Sequence, residues 1–164
     1  MSEPRTNQPT AATYFFSVHL LDPRADTLIR EIDVLRQAVR IARKRWPFVI
    51  DAAVVLPNQT HMIWTLPTGD LDYAKRWRLI KSVFSRHVDG PAHRSAAQIK
   101  RKDKGIWQRR FWDHRIRDGQ DFDLHMELIR RAPADKGLVK HAADWPYSSF
   151  SRHRRPSKRT IDVA

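Results

Sequence analysis

Hydrophobic positions along this chain recur with two periods, and the switching between them predicts an order of elements. "TYFFSVHL" (residues 13–20) is aromatic and β-branched, which predicts a first strand, and Asp22-Pro23 marks a turn after it. From Asp26 to Arg45 the apolar residues Leu28, Ile32, Leu35, Val39 and Ala42 return every three or four positions with Arg and Lys between them. That spacing predicts an amphipathic helix, which Pro47 ends. "FVIDAAVVL" and "THMIWTL" predict a second and a third strand, joined at Pro57-Asn58 as an antiparallel hairpin. A second helix is expected from about Leu71 to His87, with Trp77, Ile80 and Phe84 on one face and Arg76, Lys81 and Arg86 off it.

Residues 91–105 are polar and basic and predict a loop that becomes ordered when something binds it. "IWQRRFWDHRIRD" predicts a fourth strand, Asp121 is placed as the N-cap of a helix running to about Arg131, and Pro133 closes that helix. "ADWPYSSF" supplies a last aromatic anchor. The order strand, helix, strand, strand, helix, strand predicts an α+β fold, a ferredoxin-like split βαβ sandwich. It has a four- to five-stranded antiparallel sheet, helices on one face and an appended C-terminal helix. The expected organisation is a disordered arm over residues 1–12, one domain over 13–153 and a basic disordered tail over 154–164.

Charge narrows the class of partner. The 164 residues carry 31 Lys and Arg against 18 Asp and Glu, a formal charge of +13, with a pI of about 10.9. Self-repulsion of that size opposes a compact state unless a polyanion screens it, and nucleic acid is the expected polyanion. No stretch approaches the ~20 apolar residues of a membrane span, so no membrane association is expected, and no protein partner is predicted. The absence of cysteine excludes disulfides and Cys-containing metal sites and fits a cytoplasmic location.

Five strings carry a family likeness: "TYFFSVHL", "FVIDAAVVLPNQTHMIWTLPTGDLDYAKRWRLIKSVFSR", "GIWQRRFWDHRIRD", "DFDLHMELIRRAPADKGLV" and "DWPYSSF". Over roughly residues 13–153 the chain resembles the REP-associated tyrosine transposases, a branch of the HUH single-tyrosine superfamily. The resemblance implies a reaction on single-stranded DNA beside a folded-back hairpin. Two histidines one residue apart bind magnesium or manganese, and a helical tyrosine attacks the scissile phosphate to leave a 5′-phosphotyrosine. A polar residue four positions after the tyrosine completes the metal shell. Carried onto this sequence, the second histidine is His61 but the first is Gln59, the nucleophile position is Leu128, and the polar ligand position is Ala132. A glycine pair of the family appears as Ala11-Ala12.

No cofactor is therefore expected to be required: Gln59 and His61 would hold a divalent ion only weakly, and Leu and Ala have no lone pair to offer. The expected function is recognition of single-stranded or hairpin, REP-like palindromic DNA without strand cleavage. The alternatives are a metal-dependent strand-cleaving transposase using substitute residues, an RNA-binding module, and a decayed product with no selected role. Residues 100–118 interleave eight Lys and Arg with Trp107, Phe111 and Trp112, so cations can follow phosphates while an aromatic face stacks on unpaired bases. The expected DNA contacts are Lys100, Arg101, Lys102, Trp107, Arg109, Arg110, Arg115 and Arg117 here, Arg78 and Lys81 on the second helix, and Arg130 and Arg131 beside the lost nucleophile. Arg76 is explained equally well as groove-lining or as a solvated helix residue.

Overall fold

The computed structural model describes residues 10–153. The expectations for residues 1–9 and 154–164 fall outside the described residues. At the start of the described chain, Ala12 is already buried and its carbonyl accepts from the N–H of Leu66 at 2.9 Å.

Strand β1 (Thr13–His19) is central and buried on both sides, which is why it reads as a nearly continuous apolar run. Around it the sheet has the order β2-β3-β1-β4, with β2 Val49–Val55, β3 Gln59–Thr65 and β4 Trp112–Arg115, all pairings antiparallel. This is the order expected for a split βαβ sandwich. The register between β1 and β3 pairs Phe16 with Met62, Ser17 with His61 and His19 with Gln59. Because side chains alternate along a strand, Tyr14, Phe16 and Val18 face one side of the sheet, and Phe15, Ser17 and His19 face the other.

Four helical segments follow β1 and β3 before the last strand: α1 (Thr27–Arg30), α2 (Ile32–Arg45), α3 (Tyr73–Arg86) and α4 (Ala96–Lys100). Helices α2 and α3 cover the Phe16 side with a large apolar cluster in which Leu35, Val39, Trp77, Ile80 and Phe84 meet Met62 and Trp64. Trp64 stacks on Trp77 with centroids 4.4 Å apart, and Phe48 closes against Trp64 at 4.2 Å. The appended helix α5 (Gly119–Asp135) covers the opposite side, where Ile129 and Ala132 pack on Phe15, Ala52, Val54, Leu56 and Ile63.

Several boundaries differ from the sequence expectation for local reasons. The first long helix is interrupted at Glu31, which leaves helical dihedrals (φ −110°, ψ 36°), yet Leu28 and Ile32 still share the core. Residues 91–105 are not all loop: Ser95 and Gln98 form a reciprocal capping box that starts α4. Strand β4 is short because Gln108 bonds to His19 while Trp112 pairs with Ser17. Four residue steps on one chain oppose two on the other, so the segment from Arg109 to Phe111 bulges out. Helix α5 is capped by Asp118, whose side chain accepts from the N–H of Asp121, and it continues through Pro133 to Asp135. A proline in the last turn removes one N–H bond without stopping the turn.

Arg76 belongs to neither surface reading. Its side chain is 1 % exposed, and it donates to the carbonyls of Trp46, Pro47 and Asp72 and to Asp70 at 2.8 Å. The hydrogen bond from Arg76 is the largest cause holding the Asp70 carboxyl well below its usual 3.8, at about 2. One guanidinium thus ties the end of α2 and the start of β2 to the start of α3. Replacing it leaves buried carbonyls without donors, so Arg76→Met should destabilise the protein by about 2–4 kcal/mol, read as a lower urea midpoint. The Asp70 contribution is fully present above pH ~4 and should be lost as pH falls toward 2, where the lowered carboxyl finally protonates.

Candidate active-site face and nucleic-acid interface

The side of the sheet under α5 presents a polar patch at one end of its apolar cluster. Ser17 and His19 of β1 and Gln59 and His61 of β3 lie there in direct cross-strand register. Ser17 Oγ and His19 Nε2 are 2.9 Å apart, and the His19 and His61 rings meet edge to face with centroids 6.4 Å apart. His61 stacks on Phe15 at 5.9 Å. Burial first, then the neighbouring His19 and the charge of Lys136, push His61 down to about 4. His19 is also lowered, by burial and then by Lys136. His61 Nδ1 is buried and has no hydrogen-bond partner among the described residues.

Helix α5 contains no tyrosine. Leu128 is 43 % exposed, and Ala132, one turn on, is buried in the apolar cluster. All three tyrosines, Tyr14, Tyr73 and Tyr147, pack with the cluster on the opposite side of the sheet. Tyr73 donates to Asp113, and that bond is the main cause pushing its phenol up to about 12.

Sequence reasoning missed a second polar cluster. His114 of β4 and His125 of α5 converge on the buried Asp121: His114 Nε2 is 2.8 Å from Oδ2, and His125 Nδ1 is 3.1 Å from Oδ1. The N–H of Arg117 donates to Oδ2 at 2.9 Å and is the leading cause of the lowered Asp121 carboxyl. Asp121 and His125 sit four residues apart, a one-turn spacing visible in the sequence. Three such donor atoms within 4.8 Å could suggest a metal centre. The two imidazoles, however, stack with centroids 4.7 Å apart and only 21° between planes. Lone pairs lie in the ring planes, so nearly parallel rings aim past a shared ion, and hydrogen bonds already close the cluster. We treat it as a latch joining β4 to α5.

The expected DNA contacts divide by location. Arg78, Lys81, Lys102, Trp107 and Arg109 line one groove of about 720 Å³ between α3 and the segment before β4. Its floor is not the exposed aromatic that was expected, since Trp107 is 7 % exposed and packs on Phe84. Lys81 lies over Phe111 at 5.0 Å and is lowered to about 8 by burial. The exposed tryptophan is Trp112, at 64 %, on the open edge strand and absent from the expected contacts. Arg109 and Arg110 are exposed on the bulge, and Lys100 and Arg101 stand on and just after α4. Arg115 and Arg117 border a separate cavity with Ala11 and Ala12. Arg130 and Arg131 pair with Glu127 and Asp135 along α5.

No family model matches the chain. It is 41 % identical over 152 residues to the REP-associated tyrosine transposase of Escherichia coli (strain K12), covering 93 % of this chain and 84 % of that one. The chain belongs to the REP-associated tyrosine transposase family. A Haemophilus influenzae relative assigned to the same family is 35 % identical over 153 residues, covering 93 % of this chain and 87 % of its own. A solved structure of the REP-associated tyrosine transposase bound to a REP hairpin superposes with a TM-score of 0.73 at 38 % identity, covering all of this chain and 94 % of that one. A Deinococcus radiodurans structure with a TM-score of 0.50 at 11 % identity bears on the fold alone. Among the described residues no helix is long and apolar enough to cross a membrane.

Within this transposase-family fold, His61 is neutral at pH 7 and costs stability when the unfolded chain takes up a proton that the folded chain refuses. Its contribution is fully present above its ordinary 6.5 and falls as pH drops toward 4. Side-chain NMR should give His61 a midpoint near 4, and His61→Gln should shrink the loss of stability between pH 6.5 and 4.

Proposed function

We propose that this chain recognises hairpin-bearing single-stranded DNA and holds it without cutting it. The observation that carries this reading is the contrast between the two faces. The basic groove and the exposed arginines of the bulge are intact, whereas Leu128 and Ala132 stand where a phenol and a metal ligand would be, and every tyrosine faces the other side. The relative of known structure, at a TM-score of 0.73, is bound to a REP hairpin, which supports the same class of partner here. Cations following a backbone and one exposed ring on an edge strand suit a strand with unpaired bases.

The protein should bind a hairpin with a single-stranded extension more tightly than blunt duplex of equal length. Affinity should fall with salt at a log–log slope of about −0.7 per phosphate neutralised on the single strand. Arg109→Ala with Arg110→Ala should flatten that slope, and an unchanged slope removes them from the contact surface. Equal affinity for hairpin DNA, duplex and RNA reduces the interaction to general charge attraction.

Cleavage by substitute residues is favoured by one observation, the Ser17 hydroxyl 2.9 Å from a neutral imidazole. A denaturing gel after incubation with hairpin DNA and manganese separates the two readings. The native chain should give no slower-moving covalent band, because no phenol is placed to attack and a serine adduct would be equally visible. Leu128→Tyr alone should recover little. Gln59→His, Leu128→Tyr and Ala132→Asn together should give a band that EDTA abolishes, with a gain far from additive because the parts act as a unit. Ala132→Asn buries an amide in an apolar cluster and should cost about 1–3 kcal/mol of stability.

A further inference from the structure

Lys81 differs from the other groove cations in what surrounds its amine. The ring centres of Phe111 and Trp107 stand 5.0 and 5.9 Å from Nζ, and Nζ donates to the carbonyl of Gln108 at 3.1 Å. No carboxylate pairs with it among the described residues. Lys75, by contrast, has Asp70 at 4.0 Å, and Lys104 is held by the carbonyls of Ser85 and Val88 at 2.6 and 2.8 Å. Rings and backbone in place of water disfavour the ammonium, and burial lowers the amine from 10.5 to about 8. At about pH 8 roughly half of such amines are neutral, against roughly 0.4 % for an ordinary lysine. A neutral amine keeps Gln108 as its acceptor through one N–H and still has a lone pair to offer, which is the requirement for a nucleophile.

The same groove supplies an anchor for an anion. Arg78, Arg86, Lys102 and Arg109 line it with Lys81, and Ser82 and Ser85 add hydroxyls. Its carboxylate, Asp103, is engaged by the N–H of Gly105 at 2.8 Å and by Arg101 at 3.7 Å. A space of about 720 Å³ with this lining has room for a phosphate dianion that carries a short acyl chain.

We propose that Lys81 is an acylation site, its amine taking the acyl group of a small acyl phosphate whose phosphate is held by the cations of the groove. The bond from Nζ to the acyl carbon forms as the bond from that carbon to the phosphate oxygen breaks. The amine proton leaves with the phosphate as hydrogenphosphate, so no further reactant is needed. The amide product keeps one N–H for Gln108 and has no charge. Resting on the function proposed above, acylation therefore removes a cation from the groove and loosens its hold on DNA.

The test incubates the full chain with acetyl phosphate at about pH 8 and follows each lysine by peptide mass spectrometry. Lys81 should be acetylated at least about tenfold faster than the exposed Lys100 and Lys140, because its neutral fraction is on the order of a hundred times an ordinary lysine's. Its rate should level off above about pH 8. Inorganic phosphate, a bound hairpin, or Arg78→Ala with Lys102→Ala should slow Lys81 and leave Lys140 unchanged. The same double variant should not slow Lys81 toward N-hydroxysuccinimidyl acetate, which has no phosphate to be held. Lys81→Gln, which copies the uncharged amide, should weaken an extended hairpin about tenfold, the scale of one charge-assisted hydrogen bond, and Lys81→Arg should not. The proposal is overturned if acetyl phosphate labels Lys81 no faster than Lys100 and Lys140, or if inorganic phosphate and the double variant leave its rate intact. Selective labelling of Lys81 in a protein without hairpin affinity would uphold this site and reject the DNA-binding function. Hairpin affinity with unselective labelling would do the reverse.

Discussion

The pairing of β1 with β3 is the constraint on which everything else depends. Both strands are buried on both sides, so their side chains must divide between two packed faces, and the division follows strictly from the pleat. With Phe16 opposite Met62, the aromatic residues meet α2 and α3, while Ser17, His19, Gln59 and His61 gather beneath α5. A slip of one residue would carry Phe16, Val18, Met62 and Trp64 into the polar patch and the histidines into the aromatic core. The same register that builds the hydrophobic core therefore also builds the candidate site.

Cations on this molecule are sorted by what lies beneath them. Arg76 is consumed as an internal strut, and Lys104 donates to the carbonyls of Ser85 and Val88 at the end of α3. Arg130 and Arg131 are absorbed in ion pairs along α5, whose exposed geometry makes them worth little for stability. Among the cations directed outward are those of the groove wall and of the bulge before β4. A bulge on an edge strand protects the sheet from pairing with another chain and turns its side chains outward. Here it leaves Arg109 and Arg110 exposed, with Arg109 in the groove beside Lys81 and Trp107.

The histidine latch has a comparable economy. Asp121 is buried at the start of α5, and a buried carboxylate is costly unless it is fully partnered. His114 bonds to it from β4 and the Arg117 backbone from the connecting loop, while His125, one turn on, is bonded to the Asp121 carbonyl with its Nδ1 3.1 Å from the carboxylate. Those contacts hold α5 against the edge of the sheet where the helix would otherwise be anchored mainly by Ile129 and Ala132.

Local chemistry in the sequence determined the order of the strands and the long helices, the split βαβ arrangement, the appended helix and the family. Periodicity and turn residues act over a few positions and remain visible in a linear string. It also placed Gln59, Leu128 and Ala132 where the family resemblance implies a histidine, a tyrosine and a polar ligand, because each position is marked by its neighbours. Only the tertiary structure decided which tryptophan is exposed, since Trp107 and Trp112 sit in similar basic surroundings and differ by how β1 pairs with them. It alone showed that Arg76 is interior, that Asp118 and not Asp121 caps α5, and that Asp121 instead gathers two histidines from different elements. The juxtaposition of His19 with Gln59 joins residues forty positions apart, and no local signal encodes it. Cross-strand register is a property of the closed sheet, settled when both faces are packed, and so the nature of the site waited on the fold.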